Sequence, residues 1–201
     1  MNKKLFIFDM GGVVVMSCWL WPQIAKAMGI AHAEERAEAF RPLVQATMRG
    51  DISSMECLNL IAEREKLTRP TDNYWSSFFQ PELHQPTVQL IHALKHHNQR
   101  VVCGTNTMDV HYQYHIDHDE YRFFDTVYAS HIMQQIKPDI TFWHYIKNQE
   151  QQYDFSDMFF FDDMQVNVDA AASLGIHAHV FTSAQDTADY INSLTDLHIT
   201  L

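Results

Sequence analysis

The chain has 201 residues, 46% of them apolar and 19% charged, enough for one domain with or without an insertion and too apolar for a disordered polymer. Fourteen lysines and arginines against 25 aspartates and glutamates give a formal net charge of −11, which excludes the basic face that nucleic-acid binding uses. The three cysteines, Cys18, Cys57 and Cys103, form no CxxC pair and leave an odd thiol, as suits a reducing compartment better than a disulfide framework.

In chain order, the apolar run Leu5-Phe6-Ile7-Phe8 predicts a buried first strand. The run is too short for a signal-peptide core, and no apolar stretch approaches about 18 residues, so a cytoplasmic protein with no membrane partner is expected. Gly11-Gly12 allow a sharp turn after that strand. From Met16 to Phe79 there is no strand-like run but several helix-like ones rich in Ala, Glu, Arg, Leu and Met, with Pro81 and Pro86 marking the exit.

Beyond it, Val101 to Cys103, Val127-Tyr128, Met158 to Phe161 and His177 to Phe181 predict further strands. They alternate with helices predicted over Thr87 to Asn98, Asp139 to Asn148, Val166 to Leu174 and Ala184 to Leu194. This pattern predicts a doubly wound, parallel, Rossmann-like α/β core built from residues 1–15 and 81–201, with a helical cap over residues 16–80 inserted after the first strand.

Four segments carry chemistry. Asp9 ends the first strand just before Gly11-Gly12, where open α/β sheets bind ligands, although Asp-x-Gly also makes an ordinary turn. Thr105-Asn106-Thr107 end another strand in hydroxyl and amide groups able to hydrogen-bond an anion. Lys137-Pro138-Asp139 puts a cation in a loop whose Pro and Asp suit a helix start. Asp162-Asp163 close a third strand, with Asn167 placed to support the turn.

In this order the four segments resemble the haloacid dehalogenase-like hydrolase superfamily. Within it, Thr105-Asn106-Thr107 and Met48-Arg49-Gly50-Asp51-Ile52-Ser53 look like the second motif and cap signature of the glucose-1-phosphate phosphatase-like branch. The resemblance implies a Mg²⁺-dependent phosphatase acting on a small phosphorylated metabolite, most plausibly a sugar phosphate. Asp9 would attack phosphorus and form an aspartyl-phosphate; Thr105 and Asn106 would hold phosphoryl oxygens; Lys137 would neutralise both phosphate and nucleophile. Three carboxylates in one site call for a cation, so Asp9, the Gly11 carbonyl and Asp163 would hold Mg²⁺, with Asp162 bound directly or through water.

One position departs from the superfamily's pattern. Most of its phosphatases carry an acid/base aspartate two residues after the nucleophile, where this chain has Gly11, and losing acid-base catalysis typically costs about 10² to 10⁴ in rate. A leaving group that needs little protonation would answer this, with Asp109, His111 or a cap residue as a base for water. The alternatives are a catalytically impaired relative acting as a binding protein and a metal-free 2-haloacid dehalogenase, the latter disfavoured by Asp162-Asp163. Trp19, Trp21 and Trp75 read as cap core, and His111, His115 and His118 as a polar surface segment rather than a zinc site.

Overall fold

A computed structural model describes residues 3–201. In chain order it contains strand β1 (Leu5–Phe8), a short strand β2 (Val15–Met16), helices α1 (Trp21–Met28), α2 (Ala33–Arg49), α3 (Ser54–Glu65) and α4 (Tyr74–Ser77), and a short strand β3 (Glu82–Leu83). There follow α5 (Gln85–His96), β4 (Arg100–Thr105), α6 (Asp109–Asp117), β5 (Thr126–Ala129), α7 (Ser130–Met133), α8 (Thr141–Gln149), β6 (Met158–Asp162), α9 (Gln165–Ser173), β7 (His177–Val180) and α10 (Ala184–Leu194).

Five strands form one parallel sheet in the order β5-β4-β1-β6-β7. Every residue of central β1 is buried, which is why its sequence is a continuous apolar run rather than an alternation. Side chains still divide by parity: Phe6, Phe8, Phe159 and Phe161 pack toward α5 and α10, while Leu5, Ile7, Met158 and Phe160 pack toward α8 and α9. The aromatic rows of β1 and β6 meet in register, Phe6 on Phe159 and Phe8 on Phe161, each with ring centroids 4.9 Å apart. The chain leaves β1 for β4 on one side and returns to β6 on the other. The carboxyl end of β1 is therefore the sheet's switch point, and Asp9 follows it directly.

A strand end and a helix start differ from the sequence expectation. β4 continues past Cys103, because Gly104 and Thr105 keep pairing with Tyr128 and Ala129 of β5. α8 begins at Thr141 instead of beside Asp139, because the Lys137 backbone is bound sideways to the Asn106 amide.

The four helices α1 to α4 fill the interval between β2 and β3 around their own apolar cluster, which includes Trp21, Ile24, Phe40, Leu58, Ile61 and Trp75. Met108, Val110 and Tyr114 from the start of α6 join that cluster, so the α/β part supplies its floor. Entry and exit of the helical part run side by side as an antiparallel ribbon, Val15 opposite Leu83 and Met16 opposite Glu82. Strands of two residues carry no readable alternation, and the sequence shows no sign of this ribbon.

The end of α2 docks on α7. Ser130 Oγ lies 2.6 Å from the Met48 carbonyl and accepts the Thr107 N–H at 2.9 Å. Gly50 ends α2 in the left-handed conformation, φ 81°, where any Cβ would collide with the His131 carbonyl.

Candidate active site

Asp9, Asp162 and Asp163 converge beyond the carboxyl ends of β1 and β6, with one carboxylate oxygen of each within 4.8 Å of the others. They are the only such cluster of metal-binding side chains among the described residues. Lys137 reaches between them from the loop before α8. Its Nζ donates to Asp162 Oδ2 at 2.6 Å and to the Gly104 carbonyl at 2.9 Å, and forms an ion pair with Asp9 Oδ1 at 2.9 Å.

Burial works to lower the Lys137 pKa, but the Asp162 and Asp9 carboxylates override it and hold the ammonium protonated. The same burial pushes Asp9 up to about 7, with Lys137 pulling against it and Asp162 adding to it. Asp163 is raised as well, first by burial and then by its neighbour Asp162.

Three carboxylates and one ammonium leave a formal charge of 1 − 3 = −2 in the cluster. No lysine or arginine among the described residues pairs with Asp163. Hard oxygen donors at this spacing, with two negative charges in excess, fit a small divalent cation such as Mg²⁺.

The three aspartates are not equivalent. Asp162 is fully buried; its Oδ2 holds Lys137, and its Oδ1 accepts both the Met164 N–H and Asn167 Nδ2 at 2.9 Å. It ties β6, the start of α9 and the lysine together, and Asn167 supports the turn as expected from the sequence. Asp9 Oδ1 is held by the Met10 N–H at 2.7 Å and by Lys137, while its other oxygen has no hydrogen-bond partner among the described residues. Asp163 lies over Gly12, whose φ of +76° suits glycine and where any Cβ would run into the Asp163 carboxylate.

These groups open into a cleft of about 420 Å³ whose wall includes Asp9, Gly11, Gly12, Asn106, Lys137 and Asp163. Asn106 therefore stands where expected, yet its amide is spent on positioning: Nδ2 donates to the Lys137 carbonyl and Oδ1 accepts the Lys137 N–H, both at 2.9 Å. Thr105, expected to hold phosphoryl oxygens, does not line the cleft. Pairing of β4 continues through it and leaves it only 2% exposed inside the sheet.

Of the suggested bases for water, neither Asp109 nor His111 lines the cleft, whereas cap residues do. Asp109 accepts the Ser54 N–H at the start of α3, and His111 bonds the Trp75 carbonyl at 3.0 Å. His115 pairs with Glu120 and His118 with the Tyr114 carbonyl, so the histidines of this stretch are engaged separately.

Residues that sequence reasoning set aside or missed complete the wall: Met16, Ser17, Cys18, Trp19 and Met48. Trp21 and Trp75 are buried as expected, whereas Trp19 is 69% exposed at the cleft's rim.

The chain matches no protein-family model. It is similar to the solved structure of a predicted HAD-like family hydrolase from Porphyromonas gingivalis, with 21% identity over all of both chains and a TM-score of 0.77. A HAD-family enzyme from Bacteroides thetaiotaomicron, solved in complex with magnesium and inorganic phosphate, matches over 89% of this chain and 94% of its own, with 21% identity and a TM-score of 0.72. An L-2-haloacid dehalogenase from Xanthobacter autotrophicus matches at 12% identity and a TM-score of 0.65, over 96% of this chain and 83% of its own. The chain thus has the fold of the haloacid dehalogenase-like (HAD) enzymes, a parallel five-stranded sheet flanked by helices and bearing a helical cap.

Proposed function

We propose that this chain is a magnesium-dependent phosphohydrolase that transfers the phosphoryl group of a small phosphate monoester to Asp9 and then to water. The observation that carries the reading is Lys137, buried between the Asp9 and Asp162 carboxylates with Asp163 alongside. A structural ion pair needs one carboxylate; this site holds three and a surplus of negative charge. The magnesium and phosphate bound to the Bacteroides HAD-family enzyme support the same chemistry.

Mg²⁺ would be held by Asp9, the Gly11 carbonyl and Asp163, with Asp162 behind them, and when bound it offsets the repulsion between carboxylate and phosphate. The chain's own residues do the rest. An Asp9 carboxylate oxygen bonds to phosphorus while the ester P–O bond breaks and the leaving oxygen departs with the electron pair. Lys137 keeps Asp9 fixed through Oδ1 and favours its ionised form against the effect of burial, and phosphate would gain its direct contact by displacing one of the three oxygens now around Nζ. Water then adds to the aspartyl-phosphate, releasing phosphate and restoring the carboxylate.

Attack on the carbon of a haloacid would leave Asp163 without a task. A role as a binding protein would leave the Asp9 oxygen that has no protein partner without one. With a net charge of −11, a small phosphorylated metabolite fits better than a nucleic acid. No described helix is long and apolar enough to cross a membrane, and Cys18, Cys57 and Cys103 are free thiols, which supports work in the reducing cytoplasm.

The test is phosphate release from a panel of phosphate esters, with Mg²⁺ and with excess chelator, for the wild-type chain and Asp9→Asn. Metal-dependent release lost in the variant is expected. Chloride release from a 2-haloacid in chelator would replace this reading with a dehalogenase, and a folded, Mg²⁺-binding chain inert on every ester would replace it with a binding protein.

A further inference from the structure

We infer that the ester's leaving group is aromatic: the preferred substrate is the phosphate monoester of a flat, apolar, phenol-type alcohol of one or two rings. The inference rests on the phosphohydrolase reading and concerns what the ester carries besides phosphate.

A second cavity of about 290 Å³ adjoins the Asp9 cleft, and Cys18, Trp19, Met48 and Asn106 line both. Its other walls are largely Leu20, Trp21, Phe40, Val44, Trp75 and Met108. The size falls at the lower edge of ordinary small-molecule pockets, roughly 300 to 1,000 Å³, and suits a compact group rather than a long chain.

Most polar atoms of this wall are already engaged, the exception being the buried Trp75 Nε1, a single donor with no partner among the described residues. Glu38 and Arg41 pair with each other at 2.6 Å on the exposed side, and both ends of the Asn106 amide are bound to the Lys137 backbone. His111 must donate from Nε2, since the Trp75 carbonyl only accepts, and its ring stacks on Phe79 with centroids 3.9 Å apart. A sugar placed here would bury several hydroxyls with few partners, and each one left unsatisfied costs the desolvation of that group. An aromatic ring would meet aromatic faces and methionines instead. Trp19, left 69% exposed at the rim shared by both cavities, offers a planar surface for such a ring to stack on.

Gly11 points the same way independently. Gly11 carries no side chain, and its nearest neighbour there is the Cys18 thiol, whose Sγ lies at an ordinary contact distance of 3.6 Å from where a Cβ would stand, so no carboxylic acid is there to protonate an alkoxide. A phenol with a pKa of about 10, like that of tyrosine, needs no such proton. In this step the Asp9 oxygen bonds to phosphorus, the aryl-oxygen–phosphorus bond breaks, and the phenolate leaves with both electrons to take a proton from solvent.

The experiment compares kcat/KM for 1-naphthyl phosphate, hexyl phosphate and glucose 1-phosphate with Mg²⁺, and titrates 1-naphthol against the tryptophan fluorescence of the chain without metal. We expect 1-naphthyl phosphate to lead both other esters by about 100-fold, the scale on which a fitted apolar pocket discriminates. We also expect 1-naphthol to quench the fluorescence and to compete with the naphthyl ester. Val44→Phe, which narrows the cavity, should cut the naphthyl-to-glucose preference about 10-fold, with Ala37→Leu as the second filling variant if the first does not fold. Equal or better turnover of glucose 1-phosphate or hexyl phosphate, with no 1-naphthol binding, overturns this inference and leaves the phosphohydrolase standing. Release from none of the three esters overturns both.

Discussion

The two ends of the cleft are built on opposite principles. At the sheet end, directional bonds fix the frame: three oxygens surround the Lys137 ammonium, Asp162 has three donors and the Asn106 amide is bound at both ends, which leaves one Asp9 oxygen and the Asp163 carboxylate to meet a ligand. At the cap end the wall is Trp, Phe, Met, Leu and Val, held by packing with few directional bonds. The first arrangement fixes the positions of charges through directional bonds, as reaction at phosphorus requires. The second fixes a volume and a polarity, which is what choosing a leaving group requires. Substitutions at the sheet end should therefore act on rate and on metal or ion-pair energetics, and those at the cap end on substrate preference.

The largest effect belongs to Asp9→Asn, which removes the nucleophile while keeping the shape of a group bonded to the Met10 N–H and Lys137. Phosphate release should fall by about 10⁴-fold or more. Circular dichroism should show an unchanged fold, and a variant retaining a tenth of the activity would mean that another group attacks phosphorus.

Lys137→Met comes next and would show that the sheet end is held by charge. It leaves Asp9 and Asp162 facing each other without a cation, and breaking a buried pair from one side costs about 3 to 5 kcal/mol. Urea unfolding should register that loss, and adding Asp162→Asn to the same chain should recover part of it. A double variant no more stable than Lys137→Met alone would remove Asp162 from the account.

Gly12→Ala should have a smaller and more selective effect. The added methyl meets the Asp163 carboxylate, and its φ of +76° strains any residue with a Cβ. Displacing a group that orients metal ligands commonly costs 10- to 100-fold in affinity, so calorimetric titration of Mg²⁺ should weaken by about that factor. Unaltered Mg²⁺ binding would place the cation away from Asp163.

The same contrast decides what can be read from the sequence. Asp9, Lys137 and Asp162-Asp163 are legible because each is a charged group at the end of an apolar run or beside a proline, where chain direction and chemistry coincide. Thr105 is misleading for a related reason: whether β4 ends at Cys103 or runs on to Thr105 depends on its pairing with Tyr128 and Ala129, which no local pattern records. The Asn106 clamp on the Lys137 backbone joins residues 31 apart and is equally hidden. In the cap, Trp19, Trp21 and Trp75 are the same residue type in similar contexts. Only the packing of α1 to α4 buries two of them and leaves the third at the rim.

The smallest effect tests whether mild acid weakens the apolar end. Burial lowers the His111 pKa to about 4, with the Trp75 carbonyl and Asp109 opposing the shift and His115 adding to it. An unfolded chain has this histidine near 6.5, so between those values the unfolded state binds a proton that the native state refuses, and stability falls as pH falls. From pH 8 to pH 6 the loss from His111 alone is about 1 kcal/mol by linkage, and it deepens toward pH 4. His115 and His131 are also lowered by burial and add to the slope in the same direction. His111→Gln can still donate to the Trp75 carbonyl but does not titrate, so from pH 8 to pH 6 its urea midpoint should rise relative to the wild type's, while the raised Asp9 carboxyl shifts both chains equally in the stabilising direction. An identical change in both chains would show that the proton goes elsewhere, and that the cap end resists mild acid as well as it excludes polar groups.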